Sequence, residues 1–182
     1  MTATRFAVAL TAVAFVLAGC SSSPNVPQAS GTAGCGAVMQ FAGEGQQHVQ
    51  SPGHPRYRTD PPTSGPHYPR PAQTGVYAAS PPPREALVHN MEHGHVIFWV
   101  VPGRLSDGAY QGLVALVKAD ETRLVLVPQT GIPPSWSVAF TAWQHSQTCS
   151  DGDAAVAAEA AAFVARFVGR GPEGDLPGTP HT

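Results

Sequence analysis

Between Gly36 and Arg84 a proline or glycine recurs every few residues, and QSPGHPRYRTDPPTSGPHYPRPAQ is the extreme of the pattern. No helical or strand periodicity survives there, because proline fixes φ and removes a backbone donor. Such a stretch reads either as a disordered linker or as a long ordered loop. Its three histidines and four aromatics (Phe41, Tyr57, Tyr68, Tyr77) favour a loop packed onto something. Long ordered loops inside a domain are commonly functional. Regular structure is therefore expected downstream of this segment, with the loop folded over it.

The ends of the chain bound the domain. MTATRFAVALTAVAFVLAGC has one Arg before an apolar run from Phe6 to Leu17, shorter than the roughly 20 residues of a membrane span. Leu17-Ala18-Gly19-Cys20 resembles a lipobox, so residues 1–19 are expected to be a signal peptide and Cys20 a lipidated, palmitate-type anchor to the outer face of a cell membrane. An ordinary secretory peptide is the plainer alternative. SSSPNVPQASGTAG then reads as a flexible tether through residue 34. One globular domain is expected over 35–175, followed by a disordered tail at 176–182 that carries a solvated His181. Ten Lys and Arg against twelve Asp and Glu leave a net charge of −2, and no basic patch suggests a nucleic acid partner.

With Cys20 assigned to lipid, Cys35 and Cys149 remain, and in an exported chain two cysteines most simply form a disulfide. A thiolate ligand or nucleophile is the alternative, but neither cysteine has a neighbouring His or a C-x-x-C partner. After Arg84 the pattern reads strand (LVHNMEH), break at Gly94, strand (HVIFWVV), helix from an N-cap at Ser106, strand (TRLVLVP), strand (WSVAFTAW) and a last helix stopped at Gly169. Tyr110, Leu113, Val114 and Val117 form one helical face, and Val156, Ala160, Phe163 and Phe167 the other. The order predicts an α+β fold, a small mainly antiparallel sheet with two helices on one face.

Seven of the eight histidines lie between positions 48 and 145. On an extended segment His89, Met91 and His93 share one side and Glu92 faces the other, either as a hydrogen-bonding partner of a ligand or as a salt-bridge residue. His89 to His93 also matches H-x-x-E-H, the inverted zincin motif, which requires a helix. Gly94 and the β-branched run after it favour the strand. His48 and His67, on the proline-rich loop, are the candidates to complete a site with His89 and His93. Met91 as a soft ligand leans the expectation toward copper, with zinc second. His54, His95 and His145 read as packing or solvated residues. Thr63-Ser64-Gly65 reads as a turn, since no nucleophile elbow surrounds Ser64.

HV at 48–49, Tyr57, PPTSGPHYP at 61–69, GVY at 75–77, LVHNMEHG at 87–94 and RGPE at 170–173 resemble the bacterial family known as domain of unknown function 3105. The resemblance covers about residues 35–175. It implies a secreted or membrane-anchored bacterial protein and brings no reaction with it. It places His48, His67, His89, His93 and Glu92 on motif positions, whereas His95 stands where the family usually has glycine. The resulting expectation is an envelope lipoprotein that binds copper or zinc through His48, His67, His89, His93 and Met91, for storage, delivery or sensing. Two further possibilities are an enzyme using Glu92 for acid–base chemistry and a structural lipoprotein that presents PPTSGPHYPRP to a partner.

Overall fold

HVIFWVV supplies the central strand of a six-stranded sheet in a computed structural model that describes Met1 and residues 34–131, 134–153 and 155–181. The leader, Cys20 and all of the tether but its last residue lie outside the described residues. The strands are β1 (Met39–Gln40), β2 (Gly75–Val76), β3 (Val96–Val100), β4 (Leu124–Pro128), β5 (Val138–Ala142) and β6 (His145–Cys149). Their order across the sheet is β1-β6-β5-β3-β4-β2. The β1/β6, β6/β5 and β5/β3 pairs are antiparallel, and β3/β4 and β4/β2 are parallel. The fold is α+β, with mostly antiparallel pairing as the sequence predicts. Helix α2 (Asp107–Ala119) makes the crossover between the parallel strands β3 and β4.

Side-chain alternation divides β3 between two apolar clusters. Val96, Phe98 and Val100 join Leu113 and Val117 of α2 and Val156, Ala160, Phe163 and Phe167 of α3 (Val156–Phe167). Both helices thus cover one face, as expected. The Ser106 hydroxyl caps α2 by accepting from the Ala109 amide at 3.2 Å, and Gly169, at φ 73°, follows the end of α3.

The opposite face corrects the sequence reading. Residues expected to be the first strand form a helix, α1 (Arg84–Glu92), with His93 as its C-cap. Leu87, Val88 and Met91 fall on one side at helical spacing and pack with Ile97, Trp99, Val125 and Val127 against the sheet. The misreading has a physical cause. Glu85, His89, Asn90 and Glu92 are also buried, so α1 shows no polar side to solvent and lacks the amphipathic signature by which a surface helix is recognised.

Cys35 and Cys149 form a disulfide spanning 114 positions. Cys149 is the last residue of β6. In the chain-entropy account a loop of this length contributes up to about 4–5 kcal/mol. The C-terminal segment, expected to be disordered, is hydrogen-bonded to the fold instead. The Thr74 amide donates to the Thr179 carbonyl at 2.8 Å, the His181 amide to the Thr74 carbonyl at 2.6 Å, and the Gly178 amide to the Thr122 carbonyl at 2.7 Å. His181 stacks on Tyr77 with ring centroids 4.4 Å apart. This strap borders β2, whose short length leaves backbone groups for it to pair.

Candidate metal centre

The side of α1 facing away from the sheet carries His89, Glu92 and His93, and the proline-rich loop closes over it. PPTSGPHYP folds so that Pro61 to Gly65 and His67 are buried. Gly65 adopts φ 121°, and a Cβ there would press into the Tyr57 ring at 3.1 Å. The Tyr57 hydroxyl donates to the Pro66 carbonyl at 2.7 Å, and burial raises its pKa, helped by the nearby Glu85 and Glu44 carboxylates. The Gln144 amide donates to the Thr63 carbonyl at 2.8 Å, and the Ser64 hydroxyl accepts from the Glu44 amide at 3.2 Å. Ser64 is thus a turn residue, as its sequence context indicates.

This loop fixes two imidazoles at once. His67 Nδ1 lies 2.8 Å from the Gly65 carbonyl, and His89 Nδ1 lies 2.6 Å from the Tyr68 carbonyl. A carbonyl only accepts, so each Nδ1 carries the hydrogen, and in the neutral ring each Nε2 presents a lone pair. Burial lowers the pKa of His89, which disfavours the charged ring. His48 joins through the backbone: the His67 amide donates to the Gln47 carbonyl at 3.0 Å and the Val49 amide to the His67 carbonyl at 2.7 Å. The His48 ring stacks on His89 at 5.2 Å and meets His67 edge-on at 5.0 Å.

His48, His67, His89 and Glu92 each offer a donor atom, and the four atoms lie within 4.8 Å of one another. His67 Nε2 and Glu92 Oε2 are 2.9 Å apart, with side-chain exposures of 0% and 2%. Neither atom makes a hydrogen bond. Two buried acceptors facing each other at this distance repel unless a cation or proton lies between them. Four donors held about 2.0–2.2 Å from one ion would stand roughly 3.5 Å apart, so the group is close to a coordinating arrangement.

His93 sits at the edge of this group. Its Nε2 is 3.0 Å from His89 Nε2 and 3.1 Å from Glu173 Oε2, and His89, His93 and Glu173 form a second donor group within the same 4.8 Å span. Met91, expected as a soft ligand, is fully buried in the apolar cluster with Leu87 and Val88 on the other side of α1. Glu92, expected to face away from the histidines, faces into them, because the helix turns residues three and four apart onto one side.

The remaining histidines have structural roles. His95 is buried, receives the Asn90 amide at Nδ1 (2.9 Å) and meets the Leu176 carbonyl at Nε2 (2.8 Å), and burial lowers its pKa. Asn90 also exchanges two 2.9 Å hydrogen bonds with the backbone of Ala72. His54, largely exposed, lies 3.1 Å from Glu85. His145 hydrogen-bonds the Trp143 carbonyl at 2.8 Å and packs on Phe167. Glu173 is the residue that sequence reasoning did not assign, although RGPE stands among the quoted motifs.

These features define a small α+β domain organised around a buried histidine–glutamate cluster. The chain belongs to the family described as "Protein of unknown function (DUF3105)", which it matches over residues 48–179. The match begins at His48 and so contains every donor of both groups. No curated protein and no solved structure matches the chain.

Proposed function

We propose that this protein is an envelope lipoprotein that holds one divalent transition-metal ion on His48, His67, His89 and Glu92, for storage, delivery or sensing. The observation that carries this reading is the pair His67 Nε2 and Glu92 Oε2, buried, 2.9 Å apart and without hydrogen bonds. Anchoring the His67 and His89 imidazoles through Nδ1–H to a backbone carbonyl is the usual support for a metal-binding Nε2. With Met91 in the core, the thioether that favoured copper leaves the donor set. Imidazole and carboxylate suit zinc and copper(II) alike. The lipid anchor rests on Leu17-Ala18-Gly19-Cys20.

Four protein donors fill the coordination of a tetrahedral ion, as in sites that hold a metal, whereas catalytic zinc keeps a position open for water. The set therefore favours holding over hydrolysis. Burial of Pro61 to Gly65 likewise disfavours that motif as a recognition surface.

Metal analysis of protein purified without a His tag or chelator tests the proposal. One equivalent of zinc or copper is expected in the wild type, with loss in Glu92→Gln and His67→Ala. Protein that stays below about a tenth of an equivalent after exposure to either ion, with Kd weaker than about 1 mM, refutes it.

A further inference from the structure

The two donor groups share His89, and His89 has one nitrogen to give, because its Nδ1 is held by the Tyr68 carbonyl. Two ions cannot be bound together through that single Nε2, so the two groups compete for one ion. We propose that His89, His93 and Glu173 form a second, outer position for the same ion, through which it passes on its way into and out of the inner set. This inference rests on the metal-holding reading given above.

The two positions differ in access and in coordination. His67 and Glu92 are 0% and 2% exposed, whereas His93 and Glu173 are 17% and 47% exposed. The inner set has four protein donors and the outer three, so an ion in the outer set keeps one position for water or for a donor of an acceptor molecule. Each set contains one carboxylate, so the protein charge facing the ion is the same at both positions. Transfer needs no gap in coordination. His89 stays bound while His93, 3.0 Å away, replaces His67, Glu173 replaces Glu92, and a water replaces His48. Each replacement forms one ligand bond and breaks one, with no redox change.

The backbone builds this outer position deliberately close to α1. The Glu173 amide donates to the Glu92 carbonyl at 3.2 Å and the Leu176 amide to the His93 carbonyl at 3.1 Å, which satisfies carbonyls at the helix end. A Cβ on Gly171 would collide with the Glu92 carbonyl oxygen and the Gly94 nitrogen, so this approach requires glycine. Gly94, at φ 85°, makes the matching turn and would likewise collide with Gly174 and Gly169 if it carried a Cβ. The RGPE and HG motifs thus act together to hold a carboxylate against His93.

The test is stopped-flow transfer of Zn(II) from the loaded full-length domain to a chromophoric chelator, beside equilibrium titration. In Glu173→Gln and Glu173→Ala, Zn(II) affinity is expected to stay within about threefold of wild type while uptake and release both slow by about tenfold or more. His48→Ala, which touches only the inner set, is expected to lose affinity and release faster. Unchanged transfer rates in both Glu173 variants would overturn the outer position. So would a tenfold loss of affinity with faster release, which would make Glu173 a resident ligand. Failure of the wild type to bind Zn(II) or Cu(II) would instead overturn the metal-holding reading itself.

Discussion

The two faces of the sheet are both buried, but they are buried for different purposes. Beneath α2 and α3 the packing is mainly apolar, with Phe98, Phe140 and Phe163 at its centre and a buried Gln147–Glu159 hydrogen bond of 3.1 Å as its polar exception. Beneath α1 a thinner apolar layer, built on Leu87, Met91 and Trp99, supports a polar layer of His67, His89, Asn90, Glu92 and His95. The first face can stabilise the domain by removing apolar surface from water. The second carries groups whose burial is costly unless each finds a partner. His95 and Asn90 find theirs within the protein, whereas His67 Nε2 and Glu92 Oε2 do not. One face is therefore complete as it stands, and the other leaves two buried polar atoms without a hydrogen bond.

That contrast can be broken most forcefully from the apolar side. Phe140→Ala should cost about 3–5 kcal/mol in denaturant unfolding, by the same amount with and without added metal. A cost that depended on metal would show that the two faces are not separable. Cys35→Ser with Cys149→Ser should lower stability by about 2–5 kcal/mol, again without changing metal content, since the bridge joins Cys35 to the end of β6 away from the histidines. On the polar face, Zn(II) at a hundred times its Kd should stabilise the wild type by about 2.7 kcal/mol, measured as a shift of the unfolding midpoint. Glu92→Gln should lose most of that increment. The smallest effect sharpens the contrast within α1 itself: Met91→Leu should cost less than about 1.5 kcal/mol and leave metal binding intact. Loss of copper in that variant would return the thioether to the site.

The same contrast decided what could be read from the sequence. Helix α2 was legible because Ser106, Leu113 and Val117 obey the capping and spacing rules of a helix with one wet face. Helix α3 was legible through Val156, Ala160, Phe163 and Phe167, and β3 through a run of β-branched and aromatic residues. Helix α1 was not, because its polar residues are as buried as its apolar ones and its alternation imitates a strand. That error moved Glu92 to the wrong side and put Met91 among the histidines. The loop residues His48 and His67 stand out in the sequence by composition and motif position, and their rings lie beside that of His89. Glu173 escaped because its placement depends on close backbone approach at Gly171 and Gly94, which no side-chain periodicity announces.

The central claim is that the buried face of α1 and the loop over it enclose an ion. Anomalous diffraction from crystals of tag-free protein soaked in Zn(II), collected on both sides of the zinc edge, tests it most directly. The account predicts one strong peak about 2.0–2.2 Å from His67 Nε2, His89 Nε2 and Glu92 Oε2. Absence of any peak there, with His67 and Glu92 joined by a hydrogen bond in its place, would contradict it.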